Sequence, residues 1–236
     1  METEQATARA AVGILVLDAR IRRIRGDGGH PASFPFPVIL ETVPGATIRR
    51  LIAERDPALA GEFIAAGRRL VARGARALAT TCGFMILFQR ELARALPVPV
   101  FTSSLLLLPL IAAAIGPRRR IGVLTADGSR LSAAHLRRAG IDPRRATVCG
   151  LEDRPHFRRA ILEENGTIAP ARVREEVAAR AREMVARDPA IGAVLLECAN
   201  LPPYAAAVRA ATGLPVFDFR TLILQVHAAL AGADGA

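Results

Sequence analysis

Two cysteines carry the most chemical information in this chain of 236 residues. Cys82 and Cys198 each follow an apolar run, ARALATTC and GAVLLEC, and each precedes a segment with helical spacing. In a parallel α/β sheet that place lies outside the carboxyl ends of the strands, where ligands bind. A helix N-terminus behind a thiol offers N–H groups and positive potential, which favour thiolate. A thiol of pKa about 8.5 is only a few per cent ionised at neutral pH, and lowering it by two units corresponds to about 2.7 kcal/mol. Two such thiols on opposite walls of one cleft can take a proton from one face of a carbon acid and return one to the other. Cys82 and Cys198 are therefore the expected catalytic pair of a 1,1-proton transfer. The third cysteine, Cys149 in the run ATVC, reads as a small apolar filler.

Proton transfer by a positioned group contributes about 10²- to 10⁴-fold, so stabilising the developing enolate must carry a large share. The backbone N–H groups of Gly83 and Phe84 after the first cysteine, and of Ala199 and Asn200 after the second, are placed to supply it. Thr80, Thr81, Ser103, Ser104 and Thr125 offer hydroxyls at other strand ends, where capping the following helix suits each of them equally well.

The elements that must position these groups alternate. Short β-branched or Leu-rich runs are separated by longer Ala/Arg/Leu segments, which predicts an α/β fold with parallel sheets covered by helices. Strands are expected at 11–17, 38–42, 75–80, 98–101, 120–124, 146–149, 192–196 and 215–217, and helices at 57–72, 84–96, 170–187 and 202–212. The chain also repeats itself. AVGILVLD (11–18) resembles RIGVLTAD (120–127), and VAR recurs at 71–73 and 185–187. Pro99, Val100 and Phe101 lie 17, 18 and 19 residues beyond Cys82, and Pro215, Val216 and Phe217 lie 17, 18 and 19 beyond Cys198. A duplicated α/β unit follows: two similar lobes, each a mainly parallel four-stranded sheet, related by a pseudo-twofold with the site in the cleft between them. The expected division is 1–102 plus 219–236 for one lobe and 103–218 for the other.

Composition narrows the chemistry. All 32 basic residues are Arg, so a lysine Schiff base and the lysine of a phosphate-binding loop are excluded. The net charge of +10 raises nucleic acid as a partner, but the Arg residues are scattered and no aromatic platform interleaves with them. No CxxC, HExxH, GxSxG or GxGxxG occurs, and no metal or organic cofactor is expected. The longest apolar run, Leu105 to Ile115, is 11 residues long and contains Pro109, short of the ~20 that a membrane-spanning helix needs. The polar start METEQATARA does not read as a signal peptide, so a cytoplasmic protein with free thiols and no membrane partner is expected.

The segments ATTCGF (79–84), LLECANLPPYAA (195–206), GDGGHP (26–31), ETVPGAT (41–47), PVFTSS (99–104) and IGVLTAD (121–127) together resemble the cofactor-independent aspartate/glutamate racemase superfamily. That superfamily includes hydantoin racemases, maleate isomerases and arylmalonate decarboxylases. The resemblance implies Cys82 and Cys198 as paired bases. It implies Thr81, Gly83 and Phe84 on one side and Asn200 on the other as contacts of a substrate carboxylate. Asp27 and His30 fall in a Gly-rich loop expected near the cleft, and Tyr204 with Phe84 would make the pocket more apolar. Amino-acid racemases of this group read Cys-Asn-Thr after the first cysteine, whereas this chain reads Cys-Gly-Phe, and Cys-Ala-Asn after the second. The activity expected is a racemase or epimerase acting on a small carboxylate or cyclic amide, such as an amino acid or hydantoin. Two alternatives stay open. One is an isomerase or decarboxylase of a small dicarboxylic acid with a single nucleophilic or protonating cysteine, and the other an inactive small-acid binding protein. Related enzymes are often dimers, which leaves a homo-oligomer open.

Overall fold

Val12–Leu17 is buried along its whole length, as a central parallel strand covered on both faces must be. It is β1 of a computed structural model that describes residues 12–231. Val38–Val43 (β2), Ala77–Thr80 (β3) and Val100–Phe101 (β4) complete a sheet of order β2-β1-β3-β4 in which all neighbours are parallel. The second half repeats the plan. Arg120–Thr125 (β5), Ala146–Gly150 (β6), Ile191–Leu196 (β7) and Val216–Phe217 (β8) form a parallel sheet of order β6-β5-β7-β8. All eight expected strands are present, several with ends moved by one or two residues; Ala11 lies outside the described residues.

Helices cover the sheets: α1 (Leu59–Ala72), α2 (Gln89–Ala95), α3 (Leu108–Ile115), α4 (Ala133–Arg138), α5 (Pro155–Phe157), α6 (Pro170–Arg187), α7 (Ala205–Thr212) and α8 (Phe219–Ala231). In α6 the buried side chains Val173, Val177, Ala181 and Met184 recur every three or four residues, so one stripe packs on the sheet and the Arg- and Glu-rich remainder faces water. Two expected helices are corrected. The segment 84–96 opens as a 3₁₀ turn, Gly83–Phe88, before α2, and 202–212 opens as a 3₁₀ turn, Pro202–Tyr204, before α7. Pro202 and Pro203 lack backbone donors, which helps to keep the second opening tight.

The repeat seen in the sequence has a packing cause. Gly13 of β1 and Gly122 of β5 are the matched glycines, and a helix lies against each. A Cβ at Gly13 would stand 2.7 Å from Leu78, 3.0 Å from Ala75 and 3.0 Å from Leu70 of α1; one at Gly122 would stand 2.4 Å from the Met184 methyl of α6. Leu70 and Met184 each precede a VAR triplet, so glycine and triplet belong to one strand–helix contact. The two faces of the second sheet serve different cores. Ile121, Val123, Ala193 and Leu195 join the core of the first sheet and α8, while Leu124, Val194 and Leu196 pack with α6 and α7. This period-two division joins the lobes along one continuous apolar layer. Among the described residues, no helix is long and apolar enough to cross a membrane.

Gly13 is hemmed in partly by the short Ala75, whereas Gly122 meets the flexible end of a methionine. Gly13→Ala should therefore lower the unfolding free energy by about 1–3 kcal/mol, and Gly122→Ala by less. Urea denaturation of both variants checks this order, and equal costs would contradict it.

Candidate active site

The strand orders put a reversal of connection between β1 and β3 and another between β5 and β7, and ligands of open α/β sheets bind at such reversals. Cys82 stands two residues beyond β3 and Cys198 two beyond β7. Both line one pocket, together with Thr81, Gly83, Phe84, Asn200, Arg23 and Glu197. Its walls are otherwise apolar. Leu17, Ile48 and Ile52 come from the first half, and Ala126, Ile161 and Leu162 from the second. A few polar groups converging between apolar walls is the usual form of a small-molecule site.

The two thiols are held alike at first sight. The N–H of Phe84 donates to Cys82 and the N–H of Asn200 to Cys198, in each case from the residue two positions on. These bonds favour thiolate, as expected of the turn behind each cysteine. They do not dominate. Burial, and next the neighbouring Glu197 carboxyl, push both thiols well above the usual range. The expectation that the following segment ionises the thiols is thereby corrected: desolvation outweighs the turn in the unliganded cleft.

Glu197 is the residue that sequence reasoning missed. It is 2% exposed, and its Oε2 accepts a hydrogen bond from Thr125 Oγ1 at 2.7 Å. Its N–H donates to the Leu124 carbonyl at 2.8 Å, and its own carbonyl, with that of Leu196, accepts from Ser104 Oγ at 3.1 Å. The second carboxyl oxygen, Oε1, is buried without a hydrogen-bond partner. It lies against Gly83, where a Cβ would stand only 2.0 Å from it. Burial raises this carboxyl to about 7. The available signal was an acid closing an otherwise apolar strand, directly before a cysteine.

A polar chain reaches Cys198 from the other side. Cys198 Sγ donates to Asn200 Oδ1 at 3.3 Å, Asn200 Nδ2 donates to Asp27 Oδ2 at 2.5 Å, and Asp27 Oδ1 pairs with Arg23 at 2.9 Å. A carboxylate accepts only, so Asp27 fixes the amide with its NH₂ outward and its carbonyl toward the thiol. Arg23 was not singled out in the sequence, where it is one basic residue among 32.

Of the residues expected at the site, Cys82, Cys198, Thr81, Gly83, Phe84 and Asn200 line the cavity. Thr125 and Asp27 stand one bond behind it, through Glu197 and Asn200. Ser104 supports the end of β7, and the Ala199 carbonyl accepts from the Gly28 N–H at 2.8 Å, tying the Gly-rich loop to the second cysteine turn. Ser103 takes its alternative role as a cap, accepting from the Leu105 N–H at 3.1 Å. The Tyr204 ring packs in the second core and is not among the lining residues. His30 accepts from the Ala32 N–H at 3.1 Å and caps a short turn. Cys149 is half-buried on the edge strand β6 and bears no disulfide, like the other two cysteines. Among the described residues, no group of three or more potential ligands could hold a metal ion.

Two parallel four-stranded sheets facing one cleft are a fold shared with solved racemase and decarboxylase structures. Arylmalonate decarboxylase in its unliganded form superposes with a TM-score of 0.62 at 20% identity, covering 96% of this chain and 94% of that one. An aspartate racemase homologue from Pyrococcus horikoshii gives 0.57 at 18% identity, over 94% and 99% of the two chains. No family profile matches the chain. Closer in sequence is a dimethylsulfoniopropionate lyase of Durusdinium sp. clade D, 34% identical over 216 residues, 89% of this chain and 71% of that protein. Dimethylsulfoniopropionate lyase 7 of Emiliania huxleyi is 36% identical over 231 residues, 93% and 67% of the two chains. The chain belongs to the family of these lyases. It spans about half of another member, Emiliania huxleyi lyase 5, of which it covers 46% at 34% identity.

A carboxyl raised from 4.5 to about 7 makes the folded chain bind more protons than the unfolded chain between those two pH values. Its contribution to stability is full below pH ~4.5 and is lost as pH rises through ~7, a change on the order of 3 kcal/mol. Replacing Glu197 by Gln removes this dependence. Relative to the native chain, Glu197→Gln should therefore gain stability between pH 5 and pH 8. Paired urea melts measure the difference, and a gap independent of pH would refute a titrating buried carboxyl.

Proposed function

We propose that the chain is a lyase that removes the α-proton of a small carboxylate bearing a leaving group on its β-carbon, with dimethylsulfoniopropionate as the substrate type. The observation that carries the reading is the pair of thiols lining one apolar cavity that also receives Arg23 and the turn N–H groups of both cysteines. The lyase names of the relatives support it. They stand nearer to the alternative kept open from the sequence, an isomerase or decarboxylase with a single nucleophilic or protonating cysteine, than to a racemase.

The chemistry follows from the substrate. Its carboxylate is held by the Gly83 N–H, the Thr81 hydroxyl and Arg23. The methyl groups of the sulfonium end pack on the isoleucine and leucine walls, and the cost of taking its charge out of water is offset by the anionic thiolate or carboxylate beside it. One cysteine, as thiolate, takes the α-proton. The electron pair left on carbon forms the carbon–carbon double bond, the β-carbon–sulfur bond breaks, and the pair in that bond departs on sulfur. The products are neutral dimethyl sulfide and acrylate, with one proton released overall. The substrate's positive charge in a dry cleft also favours the thiolate that attacks, since an adjacent cation stabilises a buried anion. Racemisation begins with the same proton removal and differs only in the fate of the carbanion.

A second reading rests on one specific feature, the matched backbone bonds from Phe84 and Asn200 to the two thiols. That symmetry favours proton exchange on both faces, as in a racemase or epimerase.

Incubating the chain with dimethylsulfoniopropionate in heavy water separates the readings. The lyase releases dimethyl sulfide, seen by headspace gas chromatography, and acrylate, seen by NMR. Cys82→Ala and Cys198→Ala should each lower the rate, the base variant by about 10²- to 10⁴-fold. Deuterium incorporated at the α-carbon of amino acids or hydantoins, with inversion and without elimination, would instead support the second reading. No product and no exchange with any of these would overturn both.

A further inference from the structure

The two thiols are matched in the backbone and unequal in their side-chain surroundings. Cys198 has an acceptor for its proton in Asn200 Oδ1, itself locked by Asp27 and Arg23. On the side of Cys82 stands a carboxyl oxygen without a partner, Glu197 Oε1, seated against the very next residue. We propose that Glu197 is the proton acceptor that ionises Cys82, that Gly83 lacks a side chain in order to admit it, and that Cys198 stays a thiol. This inference rests on the carbanion reading given above and assigns the base within it.

Three observations converge. First, Oε1 occupies the space where any side chain at position 83 would begin, so Glu197 and a residue such as the Asn of the Cys-Asn-Thr pattern exclude each other. Second, Thr125 Oγ1 donates to Oε2 and Ser104 Oγ to the Glu197 backbone carbonyl, which hold the carboxyl with Oε1 against Gly83. Third, a buried acceptor without a donor is costly, and Glu197 shares its pocket with both thiols, the groups there that carry a labile proton. The charged and titratable groups facing Glu197 are Cys82, Cys198 and, beyond them, the Arg23–Asp27 pair; Thr125 and Ser104, from the other elements packed on it, are neutral.

Charge conservation makes the transfer less costly than ionising the thiol outright, and a bound cationic substrate beside the sulfur lowers the cost further. The Cys82 S–H bond breaks and an O–H bond forms on Glu197 Oε1, so one negative charge moves from carboxylate to sulfur and none is created. The thiolate then takes the substrate's α-proton and becomes a thiol again while the leaving group departs. Glu197 returns to carboxylate by giving its proton to water, and this is the proton that the net elimination releases. Glu197 acts here through Cys82 and is a positioning residue in that sense.

The test needs no substrate, so it stands or falls separately from the lyase reading. Iodoacetamide labelling of Cys82 and Cys198 in the full chain, followed by peptide mass spectrometry between pH 6 and 9, gives a rate for each thiol. Cys82 should react faster than Cys198, with an inflection near pH 7, where Glu197 becomes carboxylate. In Glu197→Gln the Cys82 rate at pH 7.5 should fall at least tenfold and lose that inflection, with Cys198 changing less than threefold; Glu197→Asp should recover part of the loss. Gly83→Ala, which displaces the carboxyl while keeping its charge, should lower the Cys82 rate in the same way and serves where the Gln variant does not fold. An unchanged Cys82 profile in these variants, a loss confined to Cys198, or no Cys82 labelling in the native chain would overturn the proposal. A chain that shows the expected labelling but yields no dimethyl sulfide would keep the acceptor and lose the lyase.

Discussion

Removing charge from water is the constraint on which the cleft depends. Two thiols and a carboxyl stand together under apolar walls, and burial is the largest influence on all three. Each group alone is driven toward its neutral form. A thiol that must become a base in such a place needs an adjacent anion to take its proton or an adjacent cation to steady its charge. Glu197 fits the first need and the sulfonium of the proposed substrate fits the second. Dryness, which raises the cost of thiolate, also strengthens the response to a bound cation.

The duplicated fold places this chemistry with little help from the loops. Each half ends its third strand two residues before a cysteine and follows it with a backbone turn whose N–H returns to sulfur. Two open sheets of the same order necessarily have equivalent reversal points, and facing them across one cleft brings the thiols to a common cavity. The lobes are held in that relation by the shared apolar layer, where one face of β5 and β7 packs with the core of the first sheet. A fold joined in this way tolerates changes in the turns while the sulfur positions are kept.

Much of this was legible in the sequence, and what was not has a physical reason. Strands such as VGILVL and IGAVLL announce themselves as apolar runs because both faces of a central parallel strand are buried. The repeat was legible because strand–helix packing requires the same small residue at Gly13 and Gly122 and a large one before each VAR. The cysteines and their immediate neighbours followed from position alone. Glu197 did not, since its meaning lies in a steric fit to Gly83 in the other half, and the local signal, an acid closing an apolar strand, does not reveal that fit. Arg23 was hidden for the opposite reason: in a chain whose basic residues are all arginine, composition does not separate a buried ion pair from a solvated one. The 3₁₀ openings at Gly83 and Pro202 escaped because helical periodicity reports the face that packs and not the pitch of the first turn.

Symmetry of backbone and asymmetry of side chains answer different chemical questions. A racemase needs two interchangeable acids, because substrate of either hand must find a base on one side and a proton on the other. An elimination needs one base and a leaving group, and a second strong base in the cleft would only return the proton or repel the substrate carboxylate. The matched N–H bonds from Phe84 and Asn200 satisfy the first requirement, and the surroundings divide the thiols as the second demands. Asn200, fixed by Asp27 and Arg23, offers Cys198 an acceptor that cannot keep its proton; Glu197 offers one that can. On the proposed reading the sheets bring both sulfurs to the carbanion, and four side chains outside them determine which sulfur forms it.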